Sequence, residues 1–187
     1  MDRSPEIAFE MARKAVALSP DDYWSHWALG YAYKKTGDFD RALAEYERAL
    51  GMNPNDAALL AEMVELLVQT GKAEDGIAQI KLAMRINPHY PDWYLWNLGW
   101  AQYFAGDYEE AFVSLKRMSN PPNSVRRTLA AVLVRLGRIE EARVVIATFR
   151  EQEPDYTLAT MEQRYTFQNH TYLERWMEDL RTAGLPE

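Results

Sequence analysis

The stretch from Leu29 to Pro54, LGYAYKKTGDFDRALAEYERALGMNP, decides the fold. Leu29 and Tyr33 stand four residues apart, about one helical turn, so they share a face. Ala42, Tyr46 and Ala49 follow at spacings of four and three and mark the apolar face of a second helix. Between the two runs, Gly37 suits the left-handed backbone position that ends a helix, and Asp38 offers a side-chain acceptor to start the next. Asn53-Pro54 stops the second helix, because proline disfavours helical geometry in the residue before it. Asp56 can then open another. Gly30, Ala42 and Ala49 are small, so the two helices can approach closely. The segment predicts a helical hairpin.

The hairpin returns along the chain. Pro20, Pro54 and Pro88 are 34 residues apart, and Gly37, Gly71, Gly106 and Gly137 follow one another at 34, 35 and 31. A fixed period of this size marks a solenoid, in which each unit buries its apolar face against its neighbours. With Leu29, Gly30, Tyr33, Gly37, Ala42, Tyr46, Ala49 and Pro54 at their intervals, the chain resembles the tetratricopeptide repeat family. The resemblance implies an all-α fold, a right-handed superhelix of helical hairpins. The expected units are a half repeat at 1–22, repeats at 23–56, 57–90, 91–122 and 123–156, and a C-terminal cap at 157–187. The second unit is looser, with Met63, Val64, Leu67, Gly71, Gly76, Ile80, Ala83 and Pro88, and the second helix of the third stops near Met118. In the cap, Thr171-x-x-Glu174 reads as a capping box. Leu173, Trp176, Met177 and Leu180 then give one apolar stripe, closed by Gly184 and Pro186. About ten helices, no sheet and one continuous core are expected. The opening helix lacks a first partner, as in a fragment of something longer.

Composition excludes several functions. Net charge is −7 over 187 residues, which argues against a nucleic-acid surface, since phosphate neutralisation needs a dense basic face. The balance shifts along the chain: residues 123–150 carry six Arg against two Glu, residues 151–187 three Arg against eight acids. There is no cysteine, hence no disulfide or thiolate chemistry, in keeping with a cytoplasmic protein. No stretch reaches the roughly 20 apolar residues of a membrane span. His26, His89 and His170 have no metal-ligand spacing, and no phosphate loop or nucleophile elbow is present. Glu109-Glu110 and Glu140-Glu141 suit helix N-termini better than acid–base work. Asn169-His170-Thr171 is read as a chance glycosylation sequon. No catalytic residue, metal or cofactor is expected.

The tryptophans carry more. In the tetratricopeptide family the first helix of each hairpin lines a concave groove. The matching positions here are Trp24, Trp27, Tyr31 and Lys34; Ala58, Ala61, Glu65 and Val68; Trp93, Trp96, Trp100 and Tyr103, with Asn97 beside them; and Ser124, Arg127, Ala131 and Val134. Five of the six tryptophans fall on that surface. The family's carboxylate clamp is only partly matched, by Lys34, Asn97 and Arg127. Three readings stand open: a groove for a protein or peptide partner, a groove filled by the chain's own acidic tail, or aromatics that pack helices. A homo-oligomer is a further expectation.

The stretch NPHYPDWYLWNLGWAQYFAGDYEEAFVSLKRM (87–118) and the ending YLERWMEDLRTAGLPE (172–187) also look similar to the C-terminal repeat region of bacterial class III adenylate/guanylate cyclases. Related tails occur on winged-helix regulators. That resemblance implies a regulatory segment serving a sibling domain, since no cyclase catalytic domain or winged helix lies in this chain.

Overall fold

The computed structural model describes residues 4–187, and these hold eleven helices and no strand. α1 (Ser4–Leu18) is followed by four hairpins: α2 (Tyr23–Thr36) with α3 (Phe39–Met52), α4 (Ala57–Gln69) with α5 (Ala73–Ile86), α6 (Asp92–Ala105) with α7 (Tyr108–Lys116), and α8 (Val125–Arg135) with α9 (Ile139–Gln152). Two further helices, α10 (Leu158–Arg164) and α11 (His170–Thr182), close the chain. First helices also pack on one another, α4 on α6 and α6 on α8, and so form a shared face. α11 turns back and packs on α8.

Local chemistry sets the element ends. Gly37 adopts φ +78°, and the N–H groups of Gly37 and Asp38 reach the carbonyls of Lys34 and Tyr33, ending α2. Asp56 Oδ1 accepts from the N–H groups of Ala58 and Leu59, both at 3.0 Å, and starts α4. Close packing fixes the hairpins. A Cβ on Gly99 would lie 2.6 Å from Leu115 Cγ, so α6 and α7 meet only where α6 has no side chain.

Two expectations need correction. The buried residues form three clusters rather than one continuous core. The smallest, Ala12, Leu29 and Ala32 with flanking Phe9 and Val16, is thin because alanines dominate the α1–α2 contact. Half-buried Tyr33 and Leu50 bridge the three. The largest cluster runs from α4 to Leu185 and includes the tail. Second, Thr171 does not cap α11. The cap is Asn169, whose side chain accepts from Tyr172 N–H, because the preceding loop is already pinned: Gln168 and Asn169 both donate their N–H groups to the Gln69 carbonyl, at 3.0 and 3.1 Å. That places Thr171 inside the first turn.

Candidate functional site

The first-helix face is divided. Its C-terminal half, on α6 and α8, is covered by the tail. Trp176 of α11 meets Trp100 edge to face at 4.5 Å and Tyr165 at 5.0 Å, and both tryptophans are buried. Arg127 of α8 reaches the hydroxyls of Tyr156 and Tyr165 through its guanidinium. The same group lies 4.7 to 5.9 Å from the rings of Phe149, Tyr156, Tyr165 and Trp176, so four aromatic faces offset the burial of its charge. Tyr103 donates its hydroxyl to Asp179 of α11 at 2.5 Å, and Arg135 Nε donates to the same oxygen at 2.7 Å. Burial, followed by the Asp179 charge, pushes the Tyr103 hydroxyl well above its ordinary range, so it stays a donor. Arg175 donates to the Phe104 carbonyl at 2.7 Å and ties α11 to α6, and Leu158 N–H donates to the Pro186 carbonyl at 2.8 Å, joining the start of the tail to its end.

What remains there is small. A cavity of about 100 Å³ is lined by Trp96, Asn97, Trp100, Arg127 and Glu65 together with tail residues Tyr165 and Trp176. A polar basin of about 440 Å³ adjoins it, where Lys34, Lys35, Arg127 and Arg164 face the single carboxylate of Glu65. Lys34 is buried and committed, donating to Glu62 and Glu65 at 3.1 and 2.7 Å. Burial alone would lower its pKa, but the two carboxylates outweigh that and raise it. Asn97 spans α6 and α4 by donating to the Ala61 carbonyl at 2.8 Å. Trp93 and Tyr103 line neither cavity; Trp93 is half-buried beside Tyr94.

The N-terminal half is open. Trp24 stacks on Trp27 at 4.7 Å and 11°, and Trp24 and Tyr31 keep 56% and 44% of their surface exposed. With Ala28, Ala32, Lys35 and Thr36 of α2, and Ala8, Met11, Ala12 and Ala15 of α1, they line a groove of about 1020 Å³. Its walls are almost wholly apolar. Among the described residues, no three His, Asp or Glu side chains gather as a metal cluster would require, and no helix is long and apolar enough to cross a membrane.

Two tetratricopeptide repeat models match the chain, one over residues 35–95 and one over 93–111 and 123–148. It is a tetratricopeptide repeat (TPR) protein. Among solved structures, TTC0263, a thermophilic TPR protein of Thermus thermophilus, superposes with a TM-score of 0.69 at 21% identity, over 95% of this chain and 91% of that one. PilW, a type IV pilus biogenesis factor, gives 0.71 at 14% identity over 98% and 90%. YrrB, described as a TPR protein with an unusual peptide-binding site, gives 0.61 at 19% identity over 94% and 92%. At these identities the likeness shows the fold. A curated relative, the transcription factor tau 131 kDa subunit of Saccharomyces cerevisiae, is 36% identical over 64 residues, 34% of this chain but only 6% of that protein. The matched models describe the TPR itself and lend nothing to the finer likeness to cyclase tails.

The TPR pattern brought Glu65, Trp96, Asn97, Trp100 and Arg127 to one place and left Trp24, Trp27 and Tyr31 to another. It missed Tyr156, Tyr165 and Phe167, which enter from the segment between α9 and α11 and complete the covered half. Their only sequence signal is three aromatics in a stretch without helical period. The half repeat expected at 1–22 holds α1, but the pattern did not assign its alanines to a groove, and they form the far wall of the open one.

Proposed function

We propose that this TPR protein is a non-catalytic interaction module that holds a segment of a protein partner in the open groove between α1 and α2. The observation that carries this reading is the exposed Trp24–Trp27 stack beside Tyr31, above a floor of alanines. Stacked tryptophans left in water are costly unless something covers them, and Trp and Tyr supply contact area at small entropic cost. The covered half supports the assignment from the other side, because Trp96, Trp100, Tyr103 and Arg127 are engaged with the chain itself. TPR proteins as a family mediate protein–protein interaction, and the matching repeats agree with that role.

The test is selection of displayed peptides on the intact chain, followed by calorimetry of the peptides obtained. The double variant Trp24→Ala/Trp27→Ala should weaken binding by about 30-fold or more, the effect of losing ~2 kcal/mol of hot-spot contact. Val144→Ala, exposed on α9, should leave binding unchanged. Peptides that bind the tryptophan double variant as tightly as the parent would overturn the assignment.

A further inference from the structure

The open groove has the shape of a vacant helix seat. In each later hairpin a first helix lies against the neighbouring first and second helices. Among the described helices α1 packs on α2 alone, and the groove is the space beside these two helices. Among the described residues nine large apolar side chains are exposed, and five of them lie on α1 and α2: Met11, Trp24 and Tyr31 line the groove, and Ile7 and Leu18 stand on α1 outside its lining. The patch is therefore concentrated and not the usual scatter of single exposed residues.

We infer that a second copy of this chain fills the seat, with the α1 helices of two copies lying antiparallel about a two-fold axis. The inference rests on the reading that this groove takes a partner segment, and it names the partner. Three features of α1 point to it. Its 15 residues span about 22 Å, close to the 14-residue α2 that forms the opposite wall, so a docked α1 runs the length of the groove. Ile7, Met11 and Leu18 form a stripe at spacings of four and seven that the other described residues leave uncovered, while Ala8, Ala12 and Ala15 alongside allow a second helix to approach closely. The exposed charges are divided along its length: Glu6 and Glu10 lie in the first half, Arg13 and Lys14 in the second. Antiparallel pairing sets the acidic half of one helix against the basic half of the other, and parallel pairing would set like against like. A two-fold contact requires a surface complementary to itself, and α1 has one.

Sedimentation of the intact chain tests this. The wild type should show a concentration-dependent monomer–dimer equilibrium above a monomer of 21.7 kDa. Met11→Lys should raise the dimer dissociation constant by tenfold or more, with helical content unchanged and, at dilutions where both chains are monomeric, the same melting temperature, because Met11 is 54% exposed. Glu10→Lys and Lys14→Glu chains should each dimerise poorly alone and recover dimer when mixed, since each then presents the charge that the other lacks. A wild type that stays monomeric at several hundred micromolar overturns the proposal, as does a dimer indifferent to Met11→Lys or a mixture no more dimeric than its parts. In any of these cases, displayed peptides that still depend on Trp24 and Trp27 would leave the partner-groove reading standing.

Discussion

At the α2 end of the first-helix face, Trp24 lies stacked on Trp27 with 56% of its surface exposed; at the α6 end, Trp100 keeps 6% and is boxed by Phe104, Phe167 and Trp176. Both occupy first-helix positions that the family pattern assigns to its groove. The difference comes from what the chain brings back to each place. The tail, α10 and α11 with the loops before and between them, reaches the second half and supplies Tyr156, Tyr165, Phe167 and Trp176. Nothing among the described residues covers the first. The same residue type thus serves as core where the chain supplies a cover, and as binding surface where a cover must come from elsewhere.

Two matched truncations give the largest expected contrast. Trp176→Ala removes a fully buried ring from the middle of the aromatic cluster and should lower unfolding stability by about 3–5 kcal/mol. Trp24→Ala should change it by less than about 0.5 kcal/mol, because the side chain is largely exposed and packs mainly on Trp27. Urea denaturation of both measures the difference. Equal losses would mean that the open half is packed as tightly as the closed one, and the division would fall.

A smaller effect is expected at the polar latch that holds the tail. Asp179 is 3% exposed and accepts from both Tyr103 and Arg135. Asp179→Asn keeps the shape and one oxygen for the two donors, which already share Oδ2, but removes the charge that faces Arg135. The loss should be about 1.5–3 kcal/mol, the usual contribution of a hydrogen bond to a charged group. Displayed-peptide binding at Trp24 and Trp27 should not change. A variant that also altered the open groove would show that the halves are coupled.

Much of this was legible in the sequence, for reasons that are local. Gly37 and Asp56 end and begin helices through atoms within a few residues of each other, so spacing alone predicts them. Gly30 and Gly99 mark close helix approach within one hairpin. The tail's apolar stripe was equally plain, but its destination was not. Trp176 lies 76 residues beyond Trp100, and no periodicity links them. Arg127 shows the same limit: its place on α8 followed from the repeat, but the four rings around its guanidinium come from α8's own repeat and the tail together. The capping residue of α11 moved from Thr171 to Asn169 because of a contact with Gln69, on a different hairpin. Long-range contacts decide these points, and the repeat pattern encodes only neighbours.

The smallest effect is expected at the seam between the halves, where Lys34 of α2 meets Glu62 and Glu65 of α4. Burial would raise the Glu65 pKa, but the Lys34 ammonium 2.7 Å away outweighs it and holds the carboxyl below its ordinary value of 4.5. Lys34 is held above its ordinary 10.5 by the same pair. The signs follow from proton linkage. A depressed carboxyl contributes stability that is fully present above 4.5 and is lost as pH falls through its lower folded value. A raised lysine contributes stability that is fully present below 10.5 and is lost as pH rises through its higher folded value. Lys34→Met removes both contributions and leaves Glu65 without its strongest partner. The stability difference between wild type and Lys34→Met should therefore be a plateau between about pH 5 and pH 10 and shrink on either side. Thermal melts across that range measure it. The plateau should be low, because Glu65 remains about one-third exposed and water screens the pair. A difference that did not shrink as pH fell below 4 would mean that Lys34 contributes through the packing of its alkyl stem and not through the two carboxylates. The open and closed halves would then be joined by packing, with no ionic contribution at the seam.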